Sequence, residues 1–236
     1  NYPSDACSVQ AAIGAVNAVA FDISAACAGF IFAMNIVEGF FKAGIYKTAL
    51  IIGAETLSKV TDWSDRGTCV LFGDGAGAAV LKAEETGIID MMMGADGTKG
   101  DVLACTSRTV GNFLTGTKPE LGFMTMDGQE VFKFAVRKVP ESVMELLQRT
   151  GTKKEDIKYY VLHQANERII EAAARRLKEP MEKFPMTIGQ FGNTSTASIP
   201  LLLDDMIRKD MLKRGDKIIM SGFGAGMTWG AVLMEW

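Results

Sequence analysis

A glycine-rich motif occurs twice in this chain, and the repeat limits the possible folds more than any other feature. The first copy spans residues 72–81 (FGDGAGAAVL) and the second spans residues 223–233 (FGAGMTWGAVL). Each copy follows a helix-like segment and an apolar, strand-like segment. We therefore predict two related α/β halves that face each other, as gene duplication would produce. The alternative is a chance likeness between two glycine-rich turns.

The two predicted halves are unequal in length. We place the N-terminal half, which carries a candidate nucleophilic cysteine, at residues 1–91. The C-terminal half, which carries a histidine and an asparagine of interest, is placed at residues 92–236. The first half is too short to match the second, and the sequence opens at Asn1 without an initiator methionine. We therefore expect the N-terminal half to be truncated in this sequence.

Strand-like and helix-like segments alternate along the chain, which is typical of a layered α/β fold. We predict strands at residues 19–24, 49–53, 158–162, 217–221 and 231–236, and a glycine-turn hairpin formed by residues 69–72 and 76–82. We predict helices at residues 28–43, 128–149, 167–177 and 198–212.

The composition excludes several classes of function. The 236 residues are 48% hydrophobic and 22% charged, with a formal net charge of -3, so a nucleic-acid binder is not expected. No apolar run is long enough to cross a membrane. The four cysteines form no CxxC pair, so neither a metal site nor a disulfide framework is expected. This pattern favours a reducing, cytoplasmic location.

Cys27 is the first candidate for chemistry. It lies between a predicted buried strand and the start of a predicted helix, in the run DISAACAGF. Amide hydrogens at a helix N-terminus favour negative charge, so a thiolate would be stabilised there. The small residues on either side leave room for a substrate. On position alone, a packed core cysteine is the alternative.

Two polar residues of the C-terminal half are further candidates. His163 is the only histidine in the chain, and it directly follows a predicted strand. Strand ends in open α/β sheets are where ligand-binding groups lie. Asn193 lies in the run FGNTSTAS, before another predicted helix. The alternatives are a hydrogen-bonded structural histidine and an asparagine that serves a loop or a cap.

The glycine-rich runs are not nucleotide-binding loops. They match neither GxxxxGK[ST] nor GxGxxG, and they lead into apolar strands. Tight turns that aim a backbone amide at a substrate oxygen fit them better. Basic residues on the predicted helices form a candidate docking patch for an acidic partner, with a solvated helix surface as the alternative. These residues are Lys133, Arg168, Arg175 and Arg176.

Taken together, these segments resemble the type III β-ketoacyl-acyl carrier protein synthases. The resemblance rests on residues 22–30, 72–81, 163–166, 192–198 and 222–230, which follow that family's order and similar separations. Cys27, His163 and Asn193 fall on the family's Cys-His-Asn triad. The resemblance implies a thiolase-like fold, in which two duplicated α/β halves form a layered α-β-α-β-α arrangement.

The resemblance also implies a mechanism. Cys27 would take an acyl group from an acyl-CoA, with acetyl-CoA as the expected starter, and the backbone amides of Cys27 and Ala225 would form the oxyanion hole. His163 and Asn193 would stabilise the enolate that forms when malonyl-acyl carrier protein loses CO2. Phe223 would support that decarboxylation. The implied function is the condensation that initiates fatty-acid synthesis.

Binding roles follow from the same resemblance. Gly128, Phe132 and Asn166 match positions near the pantetheine arm, and the four basic residues named above match positions that face the carrier protein. The family is homodimeric, and Tyr2 would lie in the segment that reaches the partner's acyl pocket. No metal or cofactor is implied, because CoA and the carrier protein's phosphopantetheine enter as substrates.

Related families are separated by residue type. Chain-elongating synthases use a second histidine, and thiolases use a second cysteine near residues 222–230, and this chain has neither. Two alternatives remain open. One is a related acyltransferase or polyketide-type synthase without a role in fatty-acid initiation, and the other is a catalytically silent, truncated subunit.

Overall fold

The computed structural model describes residues 2–105, 111–120 and 122–236. This part of the chain forms four layers: a two-stranded sheet, a pair of helices, a four-stranded sheet and a second pair of helices. The helices are α1 (Asp5–Ala12), α2 (Gly29–Lys42), α3 (Gly128–Thr150), α4 (Glu167–Leu177), α5 (Ile188–Phe191) and α6 (Ser198–Arg208). The strands are β1 (Thr48–Glu55), β2 (Gly75–Lys82), β3 (Ile88–Ala95), β4 (Leu103–Cys105), β5 (Met124–Met126), β6 (Ile157–Leu162), β7 (Lys217–Gly224) and β8 (Thr228–Glu235).

The large sheet is the centre of the structure, with strand order β3-β8-β7-β6. Strand β6 runs parallel to β7, and the other neighbours are antiparallel. Helices α2 and α6 pack on one face, and α3 and α4 pack on the other. Every residue of β7 after its first is buried, as expected for a strand covered on both faces. None of the described helices is long and apolar enough to cross a membrane.

The small sheet pairs β1 with β2 in antiparallel register over eight residues each. Its side chains alternate in burial along β2, because one face packs on α6 while the other is open. The predicted hairpin between residues 69–72 and 76–82 is therefore wrong. Residues 69–71 form a turn instead, since β1 offers β2 a longer ladder than four residues could.

Most predicted elements are confirmed, with small changes at their ends. The predicted helices correspond to α2, α3, α4 and α6, although α6 ends at Arg208 rather than near residue 212. The predicted strands at residues 49–53, 158–162, 217–221 and 231–236 correspond to β1, β6, β7 and β8. The domain boundary after residue 91 stays a prediction. Strand β3, which spans that boundary, pairs with β8.

The buried strand predicted at residues 19–24 is wrong. The segment carries no strand assignment, and Val19, Phe21 and Ile23 are exposed. A short apolar run forms a buried strand only when a partner strand pairs with its backbone N–H and C=O groups. No such partner is found among residues 2–105, 111–120 and 122–236.

Two equivalent turns lead into the central helices. The first elbow (residues 25–28) contains Ala26 at φ 45° and a 3-10 turn that runs directly into α2. The second elbow (residues 193–197) contains Ser195 at φ 52° and a 3-10 turn that runs directly into α6. A left-handed conformation costs a non-glycine residue on the order of 1–3 kcal/mol. Its recurrence at the same place in each half agrees with the predicted duplication.

Candidate active site

A cavity of about 220 Å³ lies where the two elbows meet the end of the large sheet. It brings together seven of the residues that the sequence analysis selected: Cys27, Gly128, Phe132, His163, Asn166, Asn193 and Phe223. These residues come from positions spread over most of the chain, so their meeting in one cavity is a property of the fold.

Cys27 is buried in the first elbow, just before α2 begins. The end of β7 lies directly against it, since a methyl group placed on Gly224 would lie 2.6 Å from the Cys27 backbone nitrogen. A helix N-terminus is expected to stabilise a thiolate, but the pKa of the Cys27 thiol is raised in this structure. Burial, the largest effect, raises the pKa of the Cys27 thiol to about 11, although a hydrogen bond from Ser195 opposes the rise. The resting thiol is therefore protonated near neutral pH.

Two threonine hydroxyls hold the first elbow in place. Thr196 Oγ1 donates to the Ala26 carbonyl at 2.7 Å. Thr228 Oγ1 lies 3.1 Å from the carbonyl oxygens of both Ala25 and Ala225. Because Thr228 contacts carbonyls of both the elbow and the turn that carries Ala225, the elbow is fixed relative to that turn. That turn and Cys27 also line a second, larger cavity of about 790 Å³.

His163 is held at the end of β6. Its backbone N–H donates to the Ser221 carbonyl at 2.8 Å, and its Nδ1 lies 2.6 Å from Ser198 Oγ. The Phe223 ring meets the imidazole edge-on, with 5.4 Å between ring centroids. Burial lowers the pKa of His163 to about 3. The imidazole is therefore neutral at physiological pH and has one N–H to donate.

Asn193 is held by the first copy of the glycine-rich motif. Its backbone N–H donates to the Leu71 carbonyl, and its carbonyl accepts from the Gly73 N–H, both at 2.9 Å. The side-chain Oδ1 accepts from the Ser195 N–H, also at 2.9 Å. An amide whose oxygen is occupied in this way presents its NH2 group as a donor. Asn193 is thus a second neutral hydrogen-bond donor beside His163.

Asn166 has a structural task as well as a place in the cavity lining. Its Oδ1 caps α4 by accepting from the Arg168 N–H at 2.9 Å. Gly128 and Phe132 lie on the first turns of α3, which is capped by Asp127. The N-termini of two neighbouring helices therefore line part of the cavity.

The cavity has further lining residues that the sequence analysis did not select. They include Leu71 and Phe72 beside Asn193, and Leu103 and Met126 from the β4–β5 pair. Leu71 and Phe72 precede the first glycine-rich turn, so the repeat could have drawn attention to them. Leu103 and Met126 belong to strands of three residues each, which are too short to leave a pattern in sequence.

The four basic residues lie on adjacent helices, as α3 and α4 pack side by side. Arg176 Nη1 donates to the Val136 carbonyl of α3 at 3.2 Å. Lys133 pairs with Glu130 at 2.9 Å, and Arg175 pairs with Glu171 at 3.6 Å. All four residues are exposed, and ion pairs partly neutralise two of their charges. Their role as a docking patch stays a prediction.

Comparison with known proteins identifies the family. Two family models match: 3-oxoacyl-[acyl-carrier-protein] synthase III at residues 21–97 and its C-terminal part at residues 147–236. A β-ketoacyl-[acyl-carrier-protein] synthase III of Clostridium novyi is 53% identical over 99% of this chain and 73% of the relative. This chain belongs to the 3-oxoacyl-[acyl-carrier-protein] synthase III family. A synthase III of Clostridium acetobutylicum is 51% identical over the same shares of both chains.

Solved structures show the fold of this synthase III chain. The crystal structure of 3-oxoacyl-[acyl-carrier-protein] synthase III from Aquifex aeolicus VF5 matches with a TM-score of 0.91 and 45% identity. The match covers all of this chain and 73% of that one. The predicted thiolase-like fold and the assignment to condensing acyltransferases are thereby confirmed. Of the predicted α-β-α-β-α layers, the described residues form four, without a helix layer on the outer face of the small sheet.

Proposed function

We propose that this synthase III chain joins an acyl-CoA to malonyl-acyl carrier protein, with loss of CO2, as the first condensation of fatty-acid synthesis. The observation that carries the proposal is the meeting of Cys27, His163 and Asn193 in one cavity. A buried thiol beside two neutral hydrogen-bond donors suits a reaction that forms a thioester and then an enolate. Acetyl-CoA is the proposed starter.

In the first step, Cys27 Sγ attacks the thioester carbonyl of the acyl-CoA. Its proton is lost to the departing CoA thiolate, so CoA leaves as a thiol and the acyl group stays on Cys27. The backbone N–H groups of Cys27 and Ala225 stabilise the oxyanion. Support comes from Thr228, which contacts carbonyls on both loops that carry these amides.

In the second step, a malonyl thioester loses CO2 and becomes an enolate. His163 and Asn193 donate hydrogen bonds to the enolate oxygen, and one such donor is worth about 3–4 kcal/mol of the barrier. Support comes from the lowered pKa of His163: the imidazole is neutral, so no imidazolium is present to protonate the enolate. The enolate carbon attacks the acyl carbonyl, the carbon–sulfur bond breaks, and Cys27 leaves as a thiolate. A proton from solvent then returns Cys27 to its resting thiol. Phe223 packs against the imidazole in a T-shaped contact and supports departure of the carboxylate.

The proposal includes the partners implied by this chemistry. Lys133, Arg168, Arg175 and Arg176 receive the acidic carrier protein, while Gly128, Phe132 and Asn166 contact the pantetheine arm. The protein acts in the cytoplasm as a homodimer without a metal or cofactor. The exposed apolar segment at residues 19–23, next to the first elbow, supports a protein partner at that edge.

Intact mass spectrometry before and after addition of acetyl-CoA, with peptide mapping of any adduct, tests the first step. We expect one acetyl group on Cys27. Malonyl-acyl carrier protein is then added, and the released CO2 and the β-ketoacyl product are measured. Transfer of acetyl without CO2 release would favour an acyltransferase that does not condense. Failure of acetyl-CoA and of longer acyl-CoAs to modify Cys27 would refute the proposal.

A further inference from the structure

Ser198, the first residue of α6, links the second elbow to the histidine of the cavity. Its Oγ lies 2.6 Å from His163 Nδ1 and 3.3 Å from the backbone nitrogen of Gln164. Ser198 and His163 are each only 2% exposed, so water does not compete for these contacts.

The protons around Ser198 can be counted. The Gln164 N–H can only donate, so Ser198 Oγ accepts from it. The remaining hydroxyl proton needs an acceptor, and among the described contacts only His163 Nδ1 is within reach. If Nδ1 carried its own proton instead, two donors would face one oxygen and the serine proton would be buried without a partner. That arrangement costs roughly 1–3 kcal/mol.

Gln164 keeps this geometry from relaxing. Its side-chain Nε2 donates to the Leu162 carbonyl at 2.8 Å, and its Oε1 accepts from the Thr187 N–H at 2.9 Å. Gln164 is 1% exposed. With both ends of its side chain bound, the backbone N–H of Gln164 stays directed at Ser198.

The first elbow shows that the backbone does not require serine here. Gly29 holds the equivalent position as the first residue of α2, after the same left-handed residue and 3-10 turn. A hydroxyl at residue 198 is therefore not needed to form the turn or to begin the helix. Its contact with His163 is the function that distinguishes the two positions.

We propose that Ser198 is a positioning residue that donates its proton to Nδ1 of His163, so that the imidazole proton stays on Nε2. With Nδ1 turned to Ser198, Nε2 is the ring nitrogen left for the cavity. In this tautomer His163 donates a hydrogen bond to a substrate oxygen; in the other it would repel that oxygen. The catalytic consequence rests on the proposed function, whereas the tautomer is a property of the free protein.

Because the chain has a single histidine, the tautomer can be measured without assignment. The protein is labelled with ¹⁵N-histidine, purified without a histidine tag, and studied by ¹⁵N NMR at neutral pH. We expect a protonated Nε2 and an unprotonated Nδ1 in the wild type. We expect a mixture of tautomers in Ser198→Ala. Ser198→Thr keeps a hydroxyl and is expected to keep the wild-type tautomer.

Ser142→Ala is a matched control. Ser142 is also 2% exposed and donates one hydrogen bond, to the Lys138 carbonyl within α3. Both alanine variants thus lose one buried hydroxyl, but only one of them changes the surroundings of His163. For Ser198→Ala we expect malonyl decarboxylation to slow by about 10- to 100-fold, the loss typical when a group that orients a metal-binding histidine is removed. Acetylation of Cys27 stays at the wild-type rate, and Ser142→Ala changes neither step.

The outcomes separate this inference from the proposed function. A wild-type spectrum with the proton on Nδ1 overturns the inference, whatever the enzyme catalyses. An unchanged tautomer in Ser198→Ala also overturns it, because another group would then direct the proton. A changed tautomer with unchanged decarboxylation refutes the catalytic role of Ser198. If the wild type releases no CO2 at all, the proposed function fails, while the spectra still decide the tautomer.

Discussion

The two elbows share a backbone but differ in what they present to the cavity. The first elbow consists of three alanines around Cys27, so it offers a thiol and a backbone amide. The second elbow is polar, and its Asn193 side chain and the following Ser198 hydroxyl are both buried. After duplication, one copy serves a nucleophile and the other serves hydrogen-bond donors. The contrast indicates that the turn is a scaffold and that its side chains set the chemistry.

Each elbow is supported by the glycine-rich motif of the opposite half. Gly73 of the first motif bonds to Asn193, and Gly224 of the second lies against Cys27. These glycines are equivalent, since each follows the phenylalanine of its motif. Neither elbow is thus held by its own half alone, so substitutions on the two sides of the cavity should affect different half-reactions.

The largest effects are expected from the catalytic side chains. Cys27→Ser should abolish acetylation, because a serine hydroxyl is a far weaker nucleophile than a thiol. Asn193→Ala and His163→Ala should leave acetylation intact and slow malonyl-dependent CO2 release by about 10²–10³-fold each. Single-turnover acetylation and CO2 trapping measure the two steps. Equal loss of both steps in the Asn193 and His163 variants would remove the distinction between the elbows.

The supporting glycines should separate the steps in the same way. A methyl group at residue 224 would lie 2.6 Å from the Cys27 nitrogen, and one at residue 73 would lie 2.1 Å from the Phe191 carbonyl oxygen. Gly224→Ala should therefore impair acetylation, and Gly73→Ala should impair CO2 release, by about 100-fold each. Both should also lower the free energy of unfolding by roughly 1–3 kcal/mol.

Gly39→Ala is the control for this pair. Gly39 lies inside α2 and has no atom within 4 Å of an added methyl group, so the substitution should keep both activities. It should stabilise the protein slightly, since alanine is the better helix former. Loss of the same half-reaction in Gly73→Ala and Gly224→Ala would refute the crossed support.

The triad and most elements could be predicted because local patterns carry them. Cys27, His163 and Asn193 each lie in a short run with a strand before it or a helix after it. The contact between Ser198 and His163 joins residues 35 positions apart, and no local pattern reports it. The hairpin predicted from residues 69–72 is wrong for the same reason, as a long loop separates β2 from its partner β1.

Burial decides the features that could not be predicted. The sequence places Cys27 before a helix, which favours a thiolate, but only the packed structure shows that burial raises the pKa of the thiol. At residues 19–24, local hydrophobicity predicts a buried strand, whereas burial depends on partners that a local pattern does not reveal. The error at residues 19–24 came from judging a residue by its neighbours in sequence.

His163 and Cys27 should make the free energy of unfolding depend on pH in opposite directions. Below pH 6.5 an unfolded chain binds a proton at His163 while the folded protein stays neutral until about pH 3, so stability falls as the pH falls. Between pH 7 and pH 5 the loss is roughly 2 kcal/mol. Cys27 has the opposite sign: stability falls as the pH rises from 9 towards about 11.

Urea unfolding across the pH range measures both effects. The loss assigned to His163 should be absent in His163→Ala, and the alkaline loss assigned to Cys27 should be absent in Cys27→Ser. Other titrating groups are common to the variants and cancel in the difference. Parallel curves for the wild type and both variants would show that neither group is buried as described.

Smaller effects are expected from the threonines that fix the first elbow. Thr228→Val and Thr196→Val keep the side-chain shape and remove hydroxyls that contact elbow carbonyls. Each should lower the free energy of unfolding by about 1 kcal/mol and slow acetylation about fivefold, with CO2 release less affected. Thr150→Val removes a comparable bond to the Leu146 carbonyl at the end of α3 and should spare both steps. Equal slowing of the two steps by the elbow variants would mean that these hydroxyls support the whole fold.

The smallest effect is expected from charge reversal on the basic residues proposed to receive the carrier protein. If the second elbow serves the malonyl-acyl carrier protein, charge reversal on the surface of α4 should disturb only the malonyl-dependent step and not the acetylation of Cys27. Arg168→Glu removes a cation that has no salt bridge among the described residues, so the change should be felt by an incoming acidic partner. Exposed charge pairs contribute about 0.2–1 kcal/mol each, so we expect KM for the carrier protein to rise up to about fivefold while acetylation by acetyl-CoA is unchanged.

Arg208→Glu, an exposed reversal at the end of α6, is the control and should leave both steps intact. A rise in KM that disappears at high salt would identify the contact as electrostatic. Unchanged kinetics would indicate that the candidate docking patch is only a solvated helix surface.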